Sequence, residues 1–402
     1  MDESSSTDTG ASPTKFLAIY GALPDVEART MRTATSTLGL EATFFDNPAS
    51  LAAALKRRLP VAILVGVECD GAVEVLTQLR GNVRYSATPL IGITDERTDL
   101  AFGSFYDRGG DDLISGRSLR AAVSRLRPLI ERAPAPARPR SGFAVVATSD
   151  LRWRNVVART LSNVGIESRI VGNCPDAADA ACEPALFVVA SDDLLPGGAT
   201  TALAQARARG STIPWLISAP ARRAGALRAS LPAHGGVTVV DVFAPPDNLL
   251  FTANELRRPQ LIDQRASARV LFGTAVAFRI AGAAEDDLGF TYNLSTGGVF
   301  VRTLAPIDAG QEVWLELWPP RTERAVRIVG RVAWRRTFGP NESATVPPGF
   351  GIHITGGLPD DLERWEVGAR ALIADPMAPQ LRPDVSQHMS SAPPGWLAKA
   401  VV

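Results

Sequence analysis

Two short motifs in the last third of the chain carry residue types that could bind an anionic ligand. Arg265 and Arg269 form an RxxxR motif, and Asn293, Ser295 and Gly298 form an NxSxxG motif that begins 24 residues after Arg269. An arginine guanidinium offers a planar fork of donors that can pair bidentately with phosphate or with O6 and N7 of guanine. The asparagine amide and the serine hydroxyl add hydrogen-bonding groups, and a glycine allows close backbone approach. Both motifs therefore suggest binding chemistry.

Each motif taken alone also has a simpler interpretation. The RxxxR spacing recurs at Arg80/Arg84, Arg327/Arg331 and Arg331/Arg335, and such a pair can be two solvated side chains. The NxSxxG motif could be an Asn/Gly turn between two strands. The order of the two motifs, their separation and the strand-rich sequence around them favour a shared binding site.

The composition of the chain argues against several classes of function. The 402 residues contain 42 Lys+Arg and 42 Asp+Glu, so the formal net charge is zero. That balance argues against a general nucleic-acid coat or a binder of anionic membranes, since both need an excess of cations. Cys69, Cys174 and Cys182 make neither a disulfide framework nor a metal motif, and they fit a reducing compartment. Without a transmembrane run or signal peptide, we expect a cytoplasmic protein with no membrane span.

The first two thirds of the chain repeat one pattern. Apolar strands alternate with helical segments in residues 14–131 and again in residues 141–258, which predicts two doubly wound α/β domains with parallel sheets. The strands that start at Phe16 and Val61 have counterparts at Phe143 and Leu186, with offsets of 127 and 125 residues. Such a nearly constant offset indicates a tandem duplication.

The last third has the period of antiparallel strands. Residues 261–374 alternate apolar and polar residues with Gly, Pro and Asn between the runs, which predicts a small β-barrel of five or six strands and a closing helix. We expect a disordered N-terminus over residues 1–13, a proline-rich linker over residues 132–140 and a flexible tail over residues 375–402. The expected architecture is thus two tandem α/β domains followed by a barrel.

The barrel sequence resembles the PilZ domain, a bacterial receptor family for the second messenger cyclic di-GMP. The resemblance rests on both motifs and on EVWLELW, GRVAW, PPGFGIHI and the closing helix in the expected order. It implies that Arg265, Arg269, Asn293, Ser295 and Gly298 bind cyclic di-GMP, with the arginines on a mobile arm. Many family members have Asp where this chain has Asn293. In this family the residue before the first arginine bears on whether one ligand molecule or an intercalated pair binds. Here that residue is Gln264, and the number of ligand molecules stays open.

The two α/β domains resemble response-regulator receiver domains, but they depart from the residues that such domains need for phosphoryl transfer. Gly21 and Ala22 stand where an acidic pair should hold Mg²⁺, Gly66 stands at the phosphoacceptor position, and Gly116 stands near the lysine position. The second domain is equally degenerate, although Asp150, Asp192 and Asp193 lie close to the expected positions. We therefore expect neither domain to be phosphorylated, while a signalling relay through the second domain stays an alternative.

These observations predict a non-enzymatic cyclic di-GMP effector without catalytic residues, metal or cofactor. Ligand binding would rearrange the domains and change contacts with a downstream protein that the sequence does not name, and two copies could pair through the receiver-like domains. No nucleic-acid partner is expected, and no P-loop, GxSxG or HExxH motif supports an enzyme. The alternative is a ligand-free scaffold whose three domains only dock partner proteins.

Overall fold

The first domain is a parallel five-stranded sheet covered by helices. The computed structural model describes residues 15–94, 99–131, 143–231, 236–241, 245–257, 268–339 and 346–375. The strands are β1 (Phe16–Tyr20), β2 (Glu41–Phe45), β3 (Ile63–Gly66), β4 (Leu90–Ile93) and β5 (Asp112–Ile114). The helices are α1 (Asp25–Thr37), α2 (Pro48–Arg57), α3 (Ala72–Gly81), α4 (Val83–Ser86), α5 (Asp99–Asp107) and α6 (Leu119–Glu131). The continuous apolar runs of β3 and β4 are fully buried, as expected for central strands covered on both faces.

The second domain repeats this topology. Its strands are β6 (Phe143–Ala147), β7 (Glu167–Val171), β8 (Ala185–Ser191), β9 (Trp215–Ala219) and β10 (Val237–Asp241). Its helices are α7 (Leu151–Asn163), α8 (Cys174–Ala180), α9 (Ala199–Ala208), α10 (Ala221–Ser230) and α11 (Asn248–Arg257). The two sheets have the orders β2-β1-β3-β4-β5 and β7-β6-β8-β9-β10, which both correspond to the 2-1-3-4-5 order of receiver and flavodoxin-like folds. The predicted class of both domains is confirmed.

The third domain is a closed antiparallel barrel with a helix. Six strands close the barrel in the order β13-β12-β15-β16-β17-β14, because β14 also pairs with β13. They are β12 (Ala275–Ile280), β13 (Asp287–Ser295), β14 (Gly298–Arg302), β15 (Glu312–Leu317), β16 (Val326–Arg336) and β17 (Gly349–Gly357). A two-residue strand, β11 (Val270–Leu271), adds to β13, and α12 (Pro359–Ala374) follows the last strand. The predicted barrel and closing helix are therefore confirmed.

The first domain and the barrel share one hydrophobic core. Phe290 of β13 stacks on Tyr106 of α5 with ring centroids 5.1 Å apart. Ala275, Ala277 and Leu288 of the barrel join the same cluster of buried side chains. Because burial of continuous apolar surface is the main favourable term in association, this contact binds the barrel firmly to the first domain.

Buried charges reinforce that contact. The Arg125 guanidinium of α6 pairs with Asp112 at 3.1 Å and with Asp287 of the barrel at 2.5 Å. Asp112 in turn accepts hydrogen bonds from the Thr303 hydroxyl at 2.9 Å and the Leu304 amide at 2.6 Å. Each buried charge thus has several partners, as burial of charge requires.

A candidate ligand site on the barrel

The NxSxxG motif forms the hairpin between β13 and β14. Ser295 pairs with Gly298 across the sheet, so Thr296 and Gly297 make a two-residue turn. The indole Nε1 of Trp365 in α12 donates to the Thr296 carbonyl at 3.0 Å, and the Ile354 amide donates to the Gly297 carbonyl at 3.0 Å. The turn is therefore held by the closing helix and by β17.

Gly298 is a glycine because of packing between strands. A Cβ atom at this position would lie 2.3 Å from the carbonyl oxygen of Ile352 on the paired strand β17. Its φ does not lie in the left-handed region, unlike that of many glycines in the chain. The close approach of β17 therefore requires a glycine here, and no positive φ does.

Asn293 lies at an irregularity of β13. The register of β13 against β14 shifts between Thr291 and Asn293, and Asn293 pairs with Phe300 on one side and with Leu271 of β11 on the other. The residue is 6% exposed. Within the described part of the chain, its side-chain amide has no hydrogen-bond partner. A nearly buried amide with open donors and acceptor can bind a ligand edge without first breaking a protein bond.

Arg269 lies immediately before β11 and is exposed. Pairing of β11 with β13, Val270 against Leu294 and Leu271 against Asn293, brings the backbone of Arg269 to the hairpin. Among the described residues, none forms an ion pair or hydrogen bond with its guanidinium, which therefore keeps its donors available. Arg265 and Gln264 lie outside the described residues, so the arm as a whole is not placed by the structure.

These residues meet at one cavity of about 380 Å³, the hairpin cavity. Four of the five predicted site residues line it: Arg269, Asn293, Ser295 and Gly298. The remaining wall comes from β14, β16 and β17 and includes Phe300, Trp334, Gly351 and His353. The cavity thus combines a cation, an amide, a hydroxyl and an aromatic wall.

The aromatic wall has a defined geometry. The rings of Phe300 and Trp334 stack with centroids 5.0 Å apart and an interplanar angle of 29°. Gly351 makes room for the indole, since a Cβ atom there would lie 2.5 Å from Trp334 Nε1. Trp334 is half-buried, so part of its ring remains open to the cavity. Such a ring offers a stacking surface for a flat ligand.

Sequence reasoning missed Phe300, Trp334 and His353 as site residues. The missing information is cross-strand register: Trp334 pairs with Gly351, and Phe300 pairs with both Asn293 and Gly351. A tryptophan facing a glycine in a predicted strand pair is the one signal that could have pointed to it.

At the carboxyl ends of the first sheet, a thiol fills the space where a receiver needs carboxylates. A Cβ atom on Gly21 would lie 2.4 Å from Cys69 Sγ, and a Cβ atom on Gly66 would lie 2.5 Å from the same sulfur. Burial raises the pKa of this thiol, and the charge of Glu68 raises it further. In the described residues, no group of His, Cys, Asp and Glu has the arrangement of a metal site.

The second domain keeps one carboxylate near the corresponding position. Asp192, directly after β8, pairs with Arg223 of α10 at 3.0 Å. Ser191 and Thr148, at the ends of β8 and β6, bond to each other at 2.7 Å between their hydroxyl oxygens. Asp150 caps α7 by accepting from the Arg152 and Trp153 amides. Asp150 and Asp192 therefore serve local structure.

A comparison with protein families identifies the barrel. Residues 263–365 match the PilZ domain, so the third domain is a PilZ domain. A comparison with curated proteins found no match. Of the part of the chain that is described, no helix has the length and apolarity needed to cross a bilayer.

Comparison with solved structures returns response regulators and an inhibitor of motility. A protein described as a probable two-component response regulator with a GGDEF domain is 14% identical over 61% of this chain and 100% of its own, with a TM-score of 0.27. The chemotaxis response regulator CheY4 of Vibrio cholerae is 13% identical over 28% of this chain and 98% of its own, with a TM-score of 0.25. The Bacillus subtilis inhibitor of motility is 16% identical over 29% of this chain and 55% of its own, with a TM-score of 0.23. The receiver-like class of the two sheets rests on their strand order.

Proposed function

We propose that the protein is a non-enzymatic effector that binds cyclic di-GMP in the hairpin cavity of its PilZ domain. The single observation that carries the proposal is the meeting of Arg269, Asn293, Ser295 and Gly298 at one cavity, although they come from separate parts of the sequence. The PilZ match over residues 263–365 supports the ligand class.

The chemistry of the cavity suits a cyclic dinucleotide with two phosphates and two guanines. The Arg269 fork can pair with a phosphate or with O6 and N7 of a guanine. The Asn293 amide can accept from a guanine N–H, and the Ser295 hydroxyl can donate to a ligand oxygen. The open part of the Trp334 ring can stack on a base, a contact worth about 1–3 kcal/mol per base. Arg265 supplies a second cation from the arm.

We further propose that occupancy of the cavity is communicated to the second domain through the hairpin. Phe300, which lines the cavity, contacts Tyr292 with ring centroids 6.0 Å apart, and Tyr292 faces Phe251 of α11 at 6.2 Å. The Tyr292 hydroxyl donates to the Asp247 carbonyl at 2.6 Å. An aromatic chain therefore runs from the cavity to helix α11.

A charge pair follows the same route. Arg302 of β14 pairs with the Asp247 carboxylate at 2.5 Å, and its guanidinium lies 4.1 Å from the centre of the Tyr106 ring. A ligand that moves the hairpin would act on both of these contacts. Because the barrel shares a core with the first domain, these two domains should move as one unit. We expect the second domain to move relative to them. The altered surface would then bind a downstream protein in the cytoplasm, alone or as a pair of copies.

Equilibrium titration of the full-length protein with cyclic di-GMP tests the proposal. Calorimetry should show saturable binding that weakens as salt rises, since phosphate pairing is screened, while GTP at equal concentration should give no comparable signal. Absence of saturable heat, together with an unchanged melting temperature in excess ligand, would favour the ligand-free scaffold instead.

A further inference from the structure

A second cavity lies where the three domains meet. Its volume is about 460 Å³, and none of the described residues that line it also lines the hairpin cavity. The first domain contributes residues of α3 and α5, the second contributes α7, α10, β10 and α11, and the barrel contributes Leu271 of β11. A volume of this size falls in the range of small-molecule sites, roughly 300–1,000 Å³, and such sites occur preferentially between domains.

The wall of this cavity, the junction cavity, is largely apolar. The apolar part of the wall includes Trp153, Val156 and Val157 of α7, Leu249 of α11 and Leu271. Val157 and Leu249 belong to the core of the second domain, so this part of the wall is held by core packing. An apolar or aromatic body would displace water from these side chains on binding.

Three arginines at the junction cavity retain donor capacity. The Arg108 guanidinium donates to the Ser104 carbonyl at 2.6 Å, and Arg228 donates to the Val239 carbonyl at 3.2 Å. A carbonyl acceptor does not neutralise the positive charge. In the region that the structure describes, Arg152 has no side-chain partner, and its aliphatic stem packs against Gly81 of α3. Its guanidinium is thus positioned at the cavity and available to an anion.

The carboxylates that line the same cavity are already engaged. Asp150 accepts from the Arg152 and Trp153 amides at 2.8 and 3.2 Å and so sits at the positive end of α7. Asp107 and Asp241 take part in interactions of their own. Arg80, which also lines the cavity, is held by Asp111 at 2.7 Å. Arg152 is therefore the group with the most unused binding capacity.

We propose that the junction cavity binds a small amphipathic anion, with an apolar or aromatic body against Trp153 and Val156 and one carboxylate, sulfonate or phosphate group on Arg152. This ligand would touch all three domains at once. It would bind the observed arrangement better than a separated one and would therefore stabilise it.

Titration with 8-anilinonaphthalene-1-sulfonate tests this site in the full-length protein. This probe carries an apolar aromatic body and one sulfonate, and its fluorescence rises in apolar surroundings. We expect saturable binding at one site per chain, and Arg152→Glu should weaken it about tenfold or more because a charge-assisted contact becomes a repulsion. Arg222→Glu is the matched control, since Arg222 is exposed on α10 and outside the lining. It should leave the affinity unchanged.

A cavity-filling variant provides an independent check. Thr252 of α11 is half-buried and lines the junction cavity, so Thr252→Trp should occupy the space and abolish saturable probe binding. Saturable probe binding that persists in Thr252→Trp would place the probe outside the junction cavity. Unchanged probe affinity in Arg152→Glu, or undiminished probe binding in Thr252→Trp, would overturn the assignment whether or not the hairpin cavity binds its own ligand.

Discussion

Asn293 is the residue at which this site departs most from the usual PilZ pattern. Its amide accepts through one neutral oxygen, whereas an aspartate would accept two charge-assisted bonds from guanine N1–H and N2–H. The side chain is nearly buried, and within the described structure it has no hydrogen bond that a ligand would have to break. In the proposed complex, Asn293 would therefore give a lower affinity than an aspartate at the same position.

Asn293→Asp should tighten cyclic di-GMP binding, and Asn293→Ala should weaken it. Hydrogen bonds to a charged group contribute roughly 1.5–3 kcal/mol against about 1 kcal/mol for a neutral pair, so we expect a gain of the order of tenfold in affinity. Calorimetry on both variants at one salt concentration measures this. Weaker binding in the aspartate variant would mean that the amide faces a phosphate.

At the residue scale, the sequence predicts the polar half of the cavity and misses the aromatic half. Arg269, Asn293, Ser295 and Gly298 were singled out by motif, and the structure brings them to one place. Phe300 and Trp334 could not be identified in this way, because their positions depend on strand register, which is a tertiary property. The ligand role of all these residues stays a prediction.

The hairpin of β13 and β14 is the element on which the site depends. Its turn is fixed by Trp365 and Ile354, and its backbone is fixed by the close approach of Gly298 to β17. Sequence patterns predicted the strands and the turn. They did not predict the register shift beside Asn293 or the glycine contact, since both arise only when the barrel closes.

Gly298→Ala should therefore damage the barrel itself. The added methyl would lie 2.3 Å from the Ile352 carbonyl oxygen, so β14 or β17 must move. Such overpacking typically costs 1–3 kcal/mol, and we expect a lower melting temperature in the absence of ligand. Gly297→Ala is the control, because among the described residues a Cβ atom there meets only His353, at 4.0 Å. Equal stability of the two variants would contradict this account of Gly298.

At the scale of the whole molecule, buried charges join the three domains. Asp111 of the first domain is held between Arg80 at 2.7 Å and Arg159 of the second domain at 2.6 Å. Burial acts to raise the pKa of Asp111, but Arg159 and Arg80 together hold it below its usual value. No motif predicts this contact, because it joins residues from two domains whose docking the sequence pattern does not specify.

Asp111→Asn should lower the melting temperature at neutral pH. Removing one partner of a buried ion pair costs about 3–5 kcal/mol, because the remaining charges lose their compensation. Since the carboxyl pKa is lower in the folded protein, this contribution is present above the unfolded pKa of about 3.9 and is lost as the pH falls through the folded value. The melting temperatures of the parent protein and the variant should therefore converge in acid. A difference in melting temperature that stays constant across pH would mean that the ion pair is not its source.

Tyr292→Phe should separate binding from the domain response. It removes only the hydroxyl that donates to Asp247, so the affinity for cyclic di-GMP should stay within about twofold. Small-angle scattering with and without ligand should show a smaller change in dimensions than in the parent protein. An unchanged response in this variant would exclude the Tyr292–Asp247 hydrogen bond as part of the route to α11.

The most direct test of the central claim is calorimetric titration of Arg269→Ala with cyclic di-GMP. Loss of the guanidinium should reduce binding by roughly 1.5–3 kcal/mol, a factor of about ten or more. Arg324→Ala is the matched control, since Arg324 is an exposed arginine of the same barrel outside the cavity lining, and it should bind as the parent does. Parent-like affinity in Arg269→Ala would contradict the assignment of the hairpin cavity as the ligand site.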